Sequence, residues 1–241
     1  MSRCLQDEMK VGRRRFLKIS GSAAVCFAAS RPSFAAPLKT PPKPENVISP
    51  DLALERLMRG NSRYVEGISR RHDFRHEREL LTKGQNPFAG ILGCADSRVA
   101  PEYAFDTGRG DLFVCRVAGN VISTDVIASF EYTVSVLGTP LLMVLGHTGC
   151  GAVDAAISSI KSGSTLPGHL PALVDSISPA VTAVLAQPGN TLDNAIRQNV
   201  ILNVEKLQTA TPIISKSVEE GKVRIVGAVY HLVDGRIELL H

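Results

Sequence analysis

Cysteine is sparse in this 241-residue sequence: five in all, with Cys4 and Cys26 confined to the first 36 residues. The three that remain, Cys94, Cys115 and Cys150, are too few for a disulfide framework. Long apolar runs are missing as well. The small and apolar stretch from Ile19 to Ala29 falls short of the roughly 20 residues a bilayer-spanning helix needs. Nothing after residue 36 comes closer, so no stable membrane anchor is expected. A strong excess of one charge is also missing, since 27 Lys and Arg against 23 Asp and Glu give +4. Even that excess is local. Residues 1–36 hold seven basic residues (Arg3, Lys10, Arg13, Arg14, Arg15, Lys18 and Arg31) against Asp7 and Glu8, a surplus of five that leaves −1 for the rest. A near-neutral body offers no basic surface to a polyanion, so no nucleic-acid partner is expected. With 44% hydrophobic and 21% charged residues, the composition is that of an ordinary globular protein and excludes disorder and collagen.

The basic excess belongs to a segment with the order of an export signal. Basic residues come first, then the apolar stretch, then Ser33-Phe34-Ala35-Ala36, a small-residue cleavage site. Arg13-Arg14-Arg15-Phe16-Leu17-Lys18 resembles the twin-arginine signal, which implies export in the folded state and a periplasmic address. Folded export lets a metal–thiolate site be loaded while its thiols are still reduced. Residues 1–36 are therefore read as the signal, 37–48 as a linker rich in proline (Pro37, Pro41, Pro42, Pro44), and 49–241 as one folded domain.

Ser49-Pro50-Asp51 opens a helix with Ser49 as its cap, and the pattern stops near Gly60-Asn61. Residues 66–87 are charged and read as surface helix and loop. Short continuous apolar runs follow at 89–93, 112–115, 141–145 and 223–230, with helix-like stretches around 124–137, 151–162, 169–187 and 191–209 between them. Apolar strands alternating with helices predict an α/β domain whose mostly parallel central sheet is flanked by helices on both faces. Ligands of such sheets gather at the carboxyl ends of strands.

Two reactive clusters lie at such ends. Cys94-Ala95-Asp96-Ser97-Arg98 follows the run ending at Gly93, and Gly146-His147-Thr148-Gly149-Cys150-Gly151 follows the run ending at Leu145. Thiolate, imidazole and carboxylate are the ligands of tetrahedral zinc, so Cys94, His147 and Cys150, with Asp96 nearby, form a candidate Zn2+ site. Cys150 opens a helix, whose N-terminal dipole is expected to lower its thiol pKa. Three protein ligands leave a fourth position for water, which zinc makes acidic enough to supply hydroxide near neutral pH. Two thiolates neutralise the ion, so activity is expected to rise toward alkaline pH. Asp96 has two possible roles: it binds the metal and closes the site, or it pairs with Arg98 and accepts a hydrogen bond from the zinc-bound hydroxide. Cys115, inside an apolar strand, reads as a core residue.

Together, Cys94-Ala95-Asp96-Ser97-Arg98 and His147-Thr148-Gly149-Cys150-Gly151 resemble the β-class carbonic anhydrases, and the resemblance extends through Arg116 to Asn120, Ser129 to Tyr132 and Val226 to Tyr230. It implies reversible hydration of CO2 to bicarbonate and a proton. Cys94, His147 and Cys150 would bind zinc, and Asp96 and Arg98 would be the catalytic pair. Phe113, Ala118 and Tyr132 match apolar substrate-pocket positions, which in this family lie at the interface of a homodimer or higher assembly. Some members carry a pocket glutamine at the position assigned here to Gly108. Another subgroup closes its zinc with the aspartate and uses a tryptophan to hold inhibitory bicarbonate. This sequence has no tryptophan, so the open site is expected. A related substrate such as carbonyl sulfide or carbon disulfide, or a zinc site that is only structural, are the rival readings.

Overall fold

In the computed structural model, which describes residues 41–240, Ser49 accepts a hydrogen bond from the Leu52 N–H and Pro50 fills the first position of helix α1 (Pro50–Val65). The expected signal at 1–36 and the start of the linker lie outside the described residues. Helix α1 does not stop at Gly60-Asn61. Gly60 packs so tightly on the Phe105 carbonyl that a Cβ would sit 1.9 Å from its oxygen. Asn61 is buried beside it, donating to the carbonyls of Ala104 and Gly235 and accepting from the Ile237 N–H. Contacts from distant parts of the chain thus hold two poor helix formers inside the helix. Helix α2 (Phe74–Leu81) buries no residue, as its charge foretold.

Five strands form one sheet: β1 (Ala89–Gly93), β2 (Leu112–Arg116), β3 (Leu141–His147), β4 (Arg224–Tyr230) and β5 (Ile237–Leu240), in the order β2-β1-β3-β4-β5. The first four are parallel, and β5 runs antiparallel to β4 along one edge. Every residue of β1 and β3 is buried, which explains their unbroken apolar runs. Alternate side chains feed two cores. Leu92, Leu142 and Val144 pack with helices α4 (Thr124–Ser135), α5 (Gly151–Ser162), α6 (Leu170–Val184) and α7 (Thr191–Gln208), through residues such as Phe130, Val153, Val181 and Val200. Ile91, Leu141, Met143 and Leu145 face the other way, onto Leu54 and Leu57 of α1 and Phe105. Helices α3 (Pro101–Ala104) and α8 (Ile213–Glu219) complete the described fold. Gly146 and Gly227 lack the side chains that would collide with Val200 at 2.7 and 2.8 Å, so α7 closes directly on the end of the sheet where the two reactive clusters lie.

Candidate metal centre

Parallel pairing of β1 with β3 sets Gly93 beside Leu145, so Cys94 leaves the sheet next to the last turns of β3. His147 is itself the final residue of β3, two residues later than the run ending at Leu145 suggested, and Cys150 is the N-cap of α5. Gly149, at φ 65°, makes the reversal between them. The two sulfurs and an imidazole nitrogen lie within 4.8 Å of one another, with Cys94 Sγ 4.0 Å from Cys150 Sγ. All three residues are buried, His147 completely.

His147 shows what such a cluster is for. Its Nδ1 lies 3.0 Å from the Thr148 carbonyl oxygen, which can only accept, so Nδ1 carries the proton and Nε2 presents a lone pair. That Nε2 is buried without a hydrogen-bond partner. A buried imidazole lone pair facing two thiols fits a metal ligand. Thr148 is fixed in turn, donating its N–H to the Tyr230 carbonyl and accepting from the Leu232 N–H at its hydroxyl.

The thiols share a proton unequally. A hydrogen bond from Cys150 holds the Cys94 thiol well below its ordinary value, although burial opposes it. Donating that bond, and being buried, pushes Cys150 up. The N–H groups of Val153 and Ala152 at the start of α5 pull Cys150 down, as the helix dipole predicts, while its coupling to the Cys94 sulfur pushes it up. Gly119 also donates its N–H to Cys94 Sγ, at 3.3 Å.

Asp96 stands at the rim. Its Oδ1 accepts from the Arg98 N–H and Nε, both at 2.9 Å, and its Oδ2 accepts from Arg98 Nη2 at 2.7 Å. The Arg98 hydrogen bonds hold the carboxyl well below the usual carboxylate range. Asp96 Oδ2 lies 3.8 Å from His147 Nε2. Arg116 supports the loop from below, donating Nε to the Cys94 carbonyl at 3.0 Å and Nη2 to the Asp96 carbonyl at 2.6 Å. The sequence offered Arg116 only through its resemblance. The signal that finds it is register, since β2 pairs Arg116 with Gly93, immediately before Cys94.

The apolar positions divide. Ala118 lies in the 3-10 turn beside Gly119. Phe113 and Tyr132 face each other with ring centroids 6.4 Å apart, but Phe113 pairs with Gly90, three residues short of the end of β1 that carries Cys94. Gly108 sits against Lys43, Asp111 and His72 and lines a cavity of about 730 Å³ with Tyr64, Phe74 and Tyr103. No metal ligand, nor Asp96 or Arg98, lines that cavity.

Residues 89–237 match the protein-family model described as "Carbonic anhydrase". The chain belongs to the carbonic anhydrase family. Over 192 residues it is 40% identical to "Carbonic anhydrase" of Mycolicibacterium smegmatis, covering 79% of this chain and 93% of that protein. It is 36% identical over 173 residues to "Carbonic anhydrase" of Pseudomonas aeruginosa, covering 66% and 76% respectively. Among solved structures, the β-carbonic anhydrase CcaA matches at a TM-score of 0.60 and 26% identity, covering 78% of this chain and 95% of that one. A β-carbonic anhydrase of Sordaria macrospora shares the fold, at a TM-score of 0.62 and 22% identity, with 79% and 94% covered. The fold and family are therefore those of the β class. Its members are zinc enzymes, and the Cys94–His147–Cys150 cluster fits that ion.

Proposed function

We propose that this enzyme catalyses the reversible hydration of CO2 to bicarbonate and a proton, with zinc held by Cys94, His147 and Cys150. The observation that carries the reading is the buried, unpartnered Nε2 of His147 converging with two thiols beside a carboxylate already fixed by an arginine. Bound zinc supplies the Lewis acidity that brings the pKa of water toward neutrality. Asp96 stays ionised and accepts the hydrogen bond of the attacking oxygen, turning its lone pair toward CO2. Arg98 keeps Asp96 in that pose. Its three hydrogen bonds occupy both carboxylate oxygens, which favours an open site over one that Asp96 closes. CO2 is apolar and needs only an apolar pocket, to which Phe113, Ala118 and Tyr132 are assigned.

Phe113 and Tyr132 serve that pocket through a second copy of the chain. They lie on or beside β2, a sheet edge that is only half-buried, and Tyr132 is 46% exposed. An open apolar edge needs covering, and a homodimer or higher assembly covers it. Residues 1–36 act as a twin-arginine-type signal that sends the folded, metal-loaded protein to the periplasm, with 37–48 as linker. Among the described residues no helix is long and apolar enough to cross a membrane.

Stopped-flow CO2 hydration by the zinc-loaded protein, with Cys94→Ser as control, tests the reaction. Turnover should rise from neutral toward alkaline pH and be lost with the ligand. Absence of CO2 turnover at every pH refutes the reading.

A further inference from the structure

Helix α7 carries two asparagines one turn apart, Asn199 and Asn203, with relative exposures of only 2% and 1%, packed among the apolar residues of the core. Buried amides must find partners, and these two converge on one backbone segment. Asn199 Nδ2 donates to the Gly119 carbonyl at 2.8 Å, and Asn203 Oδ1 accepts from the Ile122 N–H at 2.9 Å. Asn203 Nδ2 ties the pair together, donating to the Asn199 backbone carbonyl at 2.7 Å and to its Oδ1 at 3.1 Å. The segment they grip is conformationally demanding. Gly119 and Asn120 have φ values of 68° and 43°, and Asn120 is a side-chain-bearing residue in the left-handed region. A Cβ on Gly119 would meet Ile177 Cδ1 at 2.8 Å. This is the segment whose Gly119 N–H points at Cys94 Sγ.

We propose that Asn199 and Asn203 are positioning residues of the metal centre. By pinning the Gly119 carbonyl and the Ile122 N–H, they aim the Gly119 N–H at the Cys94 sulfur. That hydrogen bond draws electron density from the thiolate and sets its donor strength toward the metal. Outer groups that orient a ligand in this way govern both affinity and electronic character. The inference rests on the zinc-site reading above.

Cobalt(II) substitution tests it, because the thiolate-to-cobalt charge-transfer band reports the electron richness of sulfur directly. Asn199→Ala should move that band to longer wavelength and weaken metal binding about 10-fold in chelator competition, at the low end of the range for lost outer-shell partners. Asn203→Asp keeps an acceptor for the Ile122 N–H but loses the donor to Asn199, so a smaller shift in the same direction is expected. Leu57→Ala truncates the core on the opposite face of the sheet. It should lower thermal stability while leaving the band in place, which separates positioning from general loosening. A band that stays unshifted in folded Asn199→Ala or Asn203→Asp overturns the proposal. The unaltered protein gives an independent reading if neither variant folds: with cadmium-113 bound, the Gly119 amide proton should couple to the metal through Cys94, and absence of that coupling overturns the proposal too. Failure of the unaltered protein to show any thiolate band is a different result, and it sinks the metal-site reading itself along with this inference.

Discussion

At Asp96, three hydrogen bonds arrive from a single residue, Arg98, whose backbone and side chain close around one carboxylate. A bidentate guanidinium–carboxylate pair fixes both distance and plane, and the Asp96 pose relative to His147 Nε2 depends on it. Under the proposed mechanism, Asp96→Asn should cost about 100-fold or more in turnover, the scale of a positioned acid–base group. Arg98→Ala should also lower turnover, by releasing Asp96 from its pose. Neither residue is in the ligand cluster, so zinc content measured by atomic absorption should stay near one ion per chain in both. Turnover that survives either change would reject the pair's assignment. The cluster of Cys94, His147 and Cys150 was legible in the sequence because cysteine and histidine are scarce there and these three stand at strand ends. The sequence gives no sign of the role of Gly119, since a backbone N–H donor has no side chain to advertise it.

Elements are held together by buried polar residues that periodicity does not announce. Asp106 accepts from Arg63 Nε of α1 at 2.5 Å, from the Arg70 N–H at 2.9 Å and from the Ser69 hydroxyl at 3.2 Å, joining α1 to the segment before α2. Burial raises its carboxyl pKa, but these donors overcome it and hold the group below the ordinary carboxylate value. A depressed folded pKa means that the stabilisation is complete above the unfolded value of about 3.9 and is lost as pH falls through the lower folded value. Asp106→Asn should therefore cost about 1.5–3 kcal/mol at neutral pH, the range for hydrogen bonds to charged groups. The gap between variant and wild type, measured by urea unfolding of the metal-free proteins, should narrow below about pH 4. A gap independent of pH would show that the charge is not what matters. Strands β1, β3 and β4 were readable as apolar runs because the middle of a parallel sheet is buried on both faces. The sequence pattern ends helix α1 too early, at Gly60-Asn61, and carries no signal for α3, α8 and β5, of only four to seven residues. Short elements owe their existence to packing rather than to propensity.

Across the whole molecule, the near-neutral body and the basic first 36 residues pose separate questions. If a second copy covers the β2 edge, Tyr132→Asp should shift the sedimentation coefficient toward that of the monomer and reduce turnover while zinc remains bound. A variant with unchanged assembly would remove this face from the interface. If residues 1–36 are the proposed export signal, replacing Arg13, Arg14 and Arg15 with lysine should retain the protein in the cytoplasm by cell fractionation. Continued export would reject the twin-arginine assignment. By itself, the sequence determined the alternation of strand and helix, the two reactive loops and their ligand types, because these depend on local pattern and on chemistry carried by single residues. Tertiary structure decided the rest. Parallel register brought Cys94 beside the end of β3, the unpartnered Nε2 of His147 identified the metal-facing nitrogen, and the close approach of Cys94 and Cys150 coupled the two thiols. Asn199 and Asn203 lie far along the chain from the loop they grip. Such relations depend on which distant groups meet in space, and no local spacing encodes that.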